Sequence, residues 1–142
     1  MSFINANTAN PTDPSQIGFT HQTQPFSTTT YSSNTPTYVY DTYVIPKGMW
    51  LITASVQMEA YSNGSLTTTA VRIAFPGSTP GINLIANSFP PSGVFTLNSY
   101  VGEPYYSDGT SSNICGIVCY ATSNNGSFVL QGTTSMTYVK IA

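Results

Sequence analysis

Residues 43–60 read Tyr-Val-Ile-Pro-Lys-Gly-Met-Trp-Leu-Ile-Thr-Ala-Ser-Val-Gln-Met-Glu-Ala, and they constrain the fold more than any other segment. A short apolar run enters a Pro-Lys-Gly turn, and a long alternating run leaves it. Trp50, Ile52, Ala54, Val56, Met58 and Ala60 share one parity, while Leu51, Thr53, Ser55, Gln57 and Glu59 share the other. Side chains of a strand alternate between two faces, so the pattern predicts a half-buried antiparallel strand with a polar outer face.

Other segments repeat this period. Strands are expected over 16–20, 38–45, 49–61, 67–75, 82–86, 93–101, 113–122 and 127–141, the last broken at Gly132. Asn63-Gly64 and Asn125-Gly126 supply the residues a tight hairpin needs. Both are followed by Ser and so match a glycosylation acceptor, but the hairpin reading is preferred. No segment carries helical periodicity. The expected class is therefore all-β, an antiparallel sandwich over residues 16–142. Residues 1–15, polar and proline-containing, form an extended N-terminal arm or a disordered tail. Phe3, Ile4, Phe19 and Phe26 argue for docking of this polar N-terminal region.

The 142 residues suffice for one core, and only 6% of them are charged, against roughly 25% in an ordinary soluble protein. With Lys47, Arg72 and Lys140 scattered and a formal charge of −2, no phosphate-neutralising cluster exists, so nucleic acid is not an expected partner. No apolar run reaches the ~20 residues of a membrane helix, and the first residues lack a signal-peptide pattern; neither membrane insertion nor secretion is expected. Polarity resides in Ser, Thr, Asn and Tyr, which suits a surface held against neighbours.

Candidate chemistry is sparse. His21 is the one imidazole, and no nucleophile motif accompanies it. Asp108 lies in a Gly-Thr-Ser-Ser turn, and one carboxylate is too few for calcium. Cys115 and Cys119 stand four apart, about 13 Å along a strand, beyond the ~7 Å limit for a disulfide. They are read as buried thiols, since no second Cys/His pair completes a metal site. No catalytic residue, cofactor or metal is expected. Tyr100, Tyr105 and Tyr106, with Glu103 and Asp108, offer either subunit packing or a glycan-binding surface. The 113–122 run is apolar on both parities, which requires a contact beyond its own core. Ile114, Val118, Tyr120, Met136 and Tyr138 are the expected subunit contacts.

The order of these features resembles the jelly-roll domains of the tumour-necrosis-factor and complement-recognition-subcomponent superfamily. Tyr43, Val44, Pro46, Gly48, Trp50 and the alternation through Val56 carry the resemblance, and the closing strand from Gly132 to Ala142 echoes it. It spans roughly residues 17–142. The resemblance implies a jelly roll that trimerises through apolar strand faces, as in modules that tip viral fibres and cover capsids. The expected function is a structural virion component, a minor capsid, capsomer-cap or fibre-type protein located in the virion after assembly in the host cytoplasm. Its expected partners are itself, as a homotrimer, and neighbouring capsid proteins. The alternative is a host-attachment or lectin-like head.

Overall fold

The computed structural model describes residues 11–24, 26–61, 64, 66–75, 87–88 and 97–142, with the side chains of 67, 68, 87, 88 and 97–101 outside the description. Most of the N-terminal arm and the strand expected over 82–86 lie outside the described residues. Ten strands and no helix occur among those described: β1 Thr20–Thr23, β2 Thr29–Ser32, β3 Thr37–Tyr40, β4 Gly48–Ala60, β5 Leu66–Ala74, β6 Asn87–Ser88, β7 Leu97–Ser107, β8 Gly116–Ser123, β9 Ser127–Leu130 and β10 Ser135–Lys140.

All pairings are antiparallel, and they make two sheets. The large sheet is organised by the 13-residue β4. One edge of β4 pairs with β7 from Gly48 to Met58, and the other pairs with β10 and then β9. Beyond these, β1 flanks β10 and β2 flanks β9. The small sheet runs β3-β8-β5-β6. The two sheets are consistent with a sandwich, because one apolar cluster joins Trp50, Ile52, Val56 and Met58 of the large sheet to Ile73, Ile117 and Cys119 of the small one.

The inner face of β4 follows the alternation throughout, whereas its outer parity does so only in part, Thr53 being buried. Trp50 through Ala60 at even positions are all buried, and Leu51 and Ser55 are exposed. Burying apolar area at about 25 cal/mol per Å2 is what seats this face inward. Trp50 also satisfies its indole by donating Nε1–H to the Pro46 carbonyl at 2.8 Å.

Several boundaries differ from the sequence reading. The first strand is shifted to Thr20–Thr23, because residues 13–19 make turns, with Gln16 and Phe19 amides bonded to Asp13 and Gln16 carbonyls. A strand absent from the reading, β2, occupies the Thr-rich run 29–32. The expected 38–45 strand stops at Tyr40, where the Asp41 carboxylate captures the amides of Thr42 (2.6 Å) and Tyr43 (3.2 Å) and turns the chain. The break near Gly132 is present: β9 and β10 are separated by residues 131–134. Neither expected hairpin forms: β8 and β9, like β4 and β5, lie in different sheets, so the turn at Gly126 (φ 82°) carries the chain from the small sheet to the large one.

Candidate interaction surface

The buried polar centre of the molecule is Asp41, 2% exposed. Its Oδ2 accepts hydrogen bonds from Tyr138 Oη at 2.6 Å and from Thr23 Oγ1. With the two amides of its own turn, four donors surround the carboxylate, which is what allows an unpaired anion to be buried. His21 stacks on Tyr43 beside it at 3.9 Å between centroids, and Tyr43 contacts Tyr138 at 4.9 Å. Burial together with the Asp41 carboxylate pushes the Tyr138 phenol far above its ordinary pKa. This cluster joins β1 and β10 of the large sheet to the segment leaving β3, so it fixes one flank of the sandwich.

The surface tells a different story. Register places Leu51 between Val139 of β10 and Pro104 of β7. In the next row Met49 pairs with Tyr106, and on its other side the Ile141 amide bonds the Met49 carbonyl at 2.9 Å. Cross-strand neighbours lie about 5 Å apart. Met49, Leu51, Pro104, Tyr106, Val139 and Ile141 are therefore one contiguous apolar patch on the outer face of the large sheet. Tyr106 is 56%, Ile141 43% and Leu51 38% exposed. None of the six is charged. Further along the face the rows become Thr53–Thr137 and Ser55–Ser135, so the patch has a polar border.

A second exposed group lies on a flank. Tyr38 and Tyr40 share the outer parity of β3, which among the described residues pairs only with β8 and is an edge strand of the small sheet. The chain then continues along residues 113–115, with the Asp41 amide on the Cys115 carbonyl (2.8 Å) and the Ile45 amide on that of Asn113 (2.9 Å). Val44, 43% exposed, extends this edge.

The predicted contact residues are distributed otherwise than expected. Met136 and Tyr138 are 0% exposed and belong to the core cluster, so they have no surface left for a second chain; this corrects their assignment as subunit contacts. Val118 is 1% exposed, on the outer parity of the small sheet opposite Tyr38 and Arg72, and it too offers little surface. Tyr120 and Ile114 are half-buried, and Tyr120 Oη reaches Asn34 Oδ1 at 3.5 Å.

The tyrosine group is also divided. Tyr105 pairs with Trp50 on the inner parity, stacks on Phe75 at 5.2 Å and donates its phenol to Asn113 Oδ1. Tyr106 points to the opposite face. The backbone of Tyr100 pairs with Ser55, while its side chain lies outside the described residues. Tyr105 and Tyr106 therefore cannot form one stacking platform. Glu103 is half-buried on β7. Asp108 anchors its own turn, accepting from the Thr110 amide (2.9 Å) and Asn113 Nδ2. Cys115 and Cys119 are buried free thiols, and burial pushes both up to about 12.

The sequence reading passed over the patch, although Leu51 on an otherwise polar parity was a visible sign of it. No known family model matches this sequence, and no curated protein matches it.

Proposed function

We propose that this chain is a structural assembly subunit, a virion component of the capsid, capsomer-cap or fibre-head kind, that associates with itself as a homotrimer. The observation that carries this reading is the uncharged apolar patch around Leu51 and Tyr106. A contiguous exposed patch with a polar border is characteristic of an association surface. The low charge of the chain supports it, since copies of one protein repel least where side chains are neutral. The resemblance to trimeric jelly rolls points the same way, and neighbouring capsid proteins are the further partners it suggests. A glycan-binding head based on Tyr105 and Tyr106 is less well supported, because the two rings occupy opposite faces.

Light scattering of the purified protein at micromolar concentration tests the reading. The expected mass is three times that of one chain. Leu51→Asp should give a folded monomer by circular dichroism, and Ser55→Asp, on the same face but outside the patch, should leave the mass unchanged. A wild-type monomer overturns the proposal.

A further inference from the structure

We propose that Asn125 is a site of spontaneous covalent change, at which the Gly126 amide nitrogen attacks the Asn125 carboxamide and converts it to aspartate or isoaspartate. The run Asn125-Gly126-Ser127 also matches a glycosylation acceptor, and the structure separates the two fates. Asn125 Nδ2, the atom that would carry a sugar, donates to the Tyr61 carbonyl. An added Cβ at Gly64 would lie 2.5 Å from the same nitrogen, so the segment after β4 packs directly on it. A bulky glycan has no room there. A ring closed between residues 125 and 126 needs none.

The carboxamide is polarised where the attack falls. Ser123 Oγ donates to Asn125 Oδ1 at 2.6 Å, and the Ser127 amide reaches the same oxygen at 3.4 Å. Donors on a carbonyl oxygen draw electrons from its carbon and hold the charge that develops during attack. Gly126 supplies an unhindered nucleophile, because an added Cβ there would meet no atom within 4 Å. Its amide bonds the Ser123 carbonyl at a long 3.3 Å and is readily released. In the reaction the Gly126 nitrogen gives its proton to solvent hydroxide and bonds to Asn125 Cγ. The Cγ–Nδ2 bond breaks and ammonia leaves. One water then opens the five-membered imide at either carbonyl, giving aspartate or the isomer whose backbone runs through the side chain.

Asn125 is also a joint, so its conversion changes the structure. It lies between β8 and β9, while Tyr61 and Gly64 lie between β4 and β5, and both connections cross from one sheet to the other. Only a carboxamide offers both the donor taken by the Tyr61 carbonyl and the acceptor filled by Ser123. A carboxylate sets an anion against the Tyr61 carbonyl instead. The isoaspartyl form further lengthens the backbone beside Gly126, whose carbonyl accepts the Ser33 amide at 2.8 Å. Conversion therefore unties the two crossings.

Peptide mapping of the full chain, kept folded in mildly alkaline buffer, tests the site. Cleavage after Arg72 and Lys140 separates Asn125 from Asn63, the other asparagine followed by glycine. The expected result is the mass gain of OH replacing NH2 at residue 125, with isoaspartate among the products. Ser123→Ala, checked for folding by circular dichroism, is expected to slow the conversion severalfold. Asn125→Asp is expected to melt below wild type. A folded chain that stays unchanged at Asn125 while the urea-unfolded chain converts there overturns the proposal, and so does conversion at Asn63 alone. An undiminished rate in Ser123→Ala overturns the part given to that hydroxyl, and an Asn125→Asp chain that melts with wild type overturns the joint.

Discussion

Tyr138 of the last strand donates its phenol to the carboxylate of Asp41 at 2.6 Å, across 97 positions of sequence. That bond connects the large sheet to the segment through which the chain leaves β3. Asp41 has no cationic partner among the described hydrogen bonds, so its burial depends on neutral donors. Hydrogen bonds to a charged group contribute more than ordinary ones, roughly 1.5–3 kcal/mol. Tyr138→Phe keeps the ring and removes the donor, and it is expected to cost about that much in urea unfolding. An unchanged midpoint would show that the bond does not hold the sheets together.

Gly48 makes a second long-range joint. Its φ is 132°, and an added Cβ would lie 1.9 Å from Lys140 Nζ. That ammonium is held between the Lys47 carbonyl, to which it donates, and the Trp50 ring, 5.3 Å below. Gly48→Ala would therefore strain the backbone and displace a buried lysine head together. A loss on the order of 1–3 kcal/mol is expected, read as a lower melting temperature. A melting curve that matches wild type would mean that the turn relaxes freely.

How much of this was visible in the chain alone depends on the range of the interaction. The faces of β4 follow from alternation, which is a local property, so Trp50 and Met58 fall where the pattern puts them. β2 escaped because a run of Thr and Ser reads as a polar arm, although Tyr31 packs against the core, its ring tilted against that of Phe128 at 5.7 Å between centroids. Tyr138 was misassigned for a different reason. An aromatic residue on a final strand fits a core or an interface equally well, and only its distant partner Asp41 decides between them. The apolar patch had the same difficulty: Leu51 stood out, but Pro104 and Val139 become its neighbours only through the register of three strands.

Thr69 offers the opposite kind of test, a substitution expected to stabilise. It is 0% exposed, and its Oγ1 has no hydrogen-bond partner among the described residues. A buried hydroxyl left unpaired costs about 1–3 kcal/mol of desolvation. Valine has nearly the same shape and no polar atom to strand, and β-branching suits a strand. Thr69→Val is expected to add about 1 kcal/mol and raise the melting temperature by a few degrees. A lower melting temperature would show that the hydroxyl is satisfied in solution.

Acid should loosen the turn at residues 108–113 before it reaches the core. The Thr110 amide, then the Thr110 hydroxyl and Asn113, hold the Asp108 carboxyl below the usual carboxylate range. A group whose pKa is lowered by folding stabilises the folded state fully above its unfolded value, near 4, and loses that contribution as pH falls through the folded value. The same Asn113 that bonds Asp108 accepts the phenol of Tyr105, whose ring packs on Phe75 against the core. Protonating Asp108 thus removes one support of a side chain that holds β7. The melting temperature of the wild type is expected to fall more steeply below pH 4 than that of Asp108→Asn, with the two curves differing most near pH 6, where wild type is the more stable. Asp13 is lowered in the same way by the Ser15 amide, so some acid sensitivity should persist in the variant. Parallel curves from pH 6 to pH 3 would show that the Asp108 turn carries no stability.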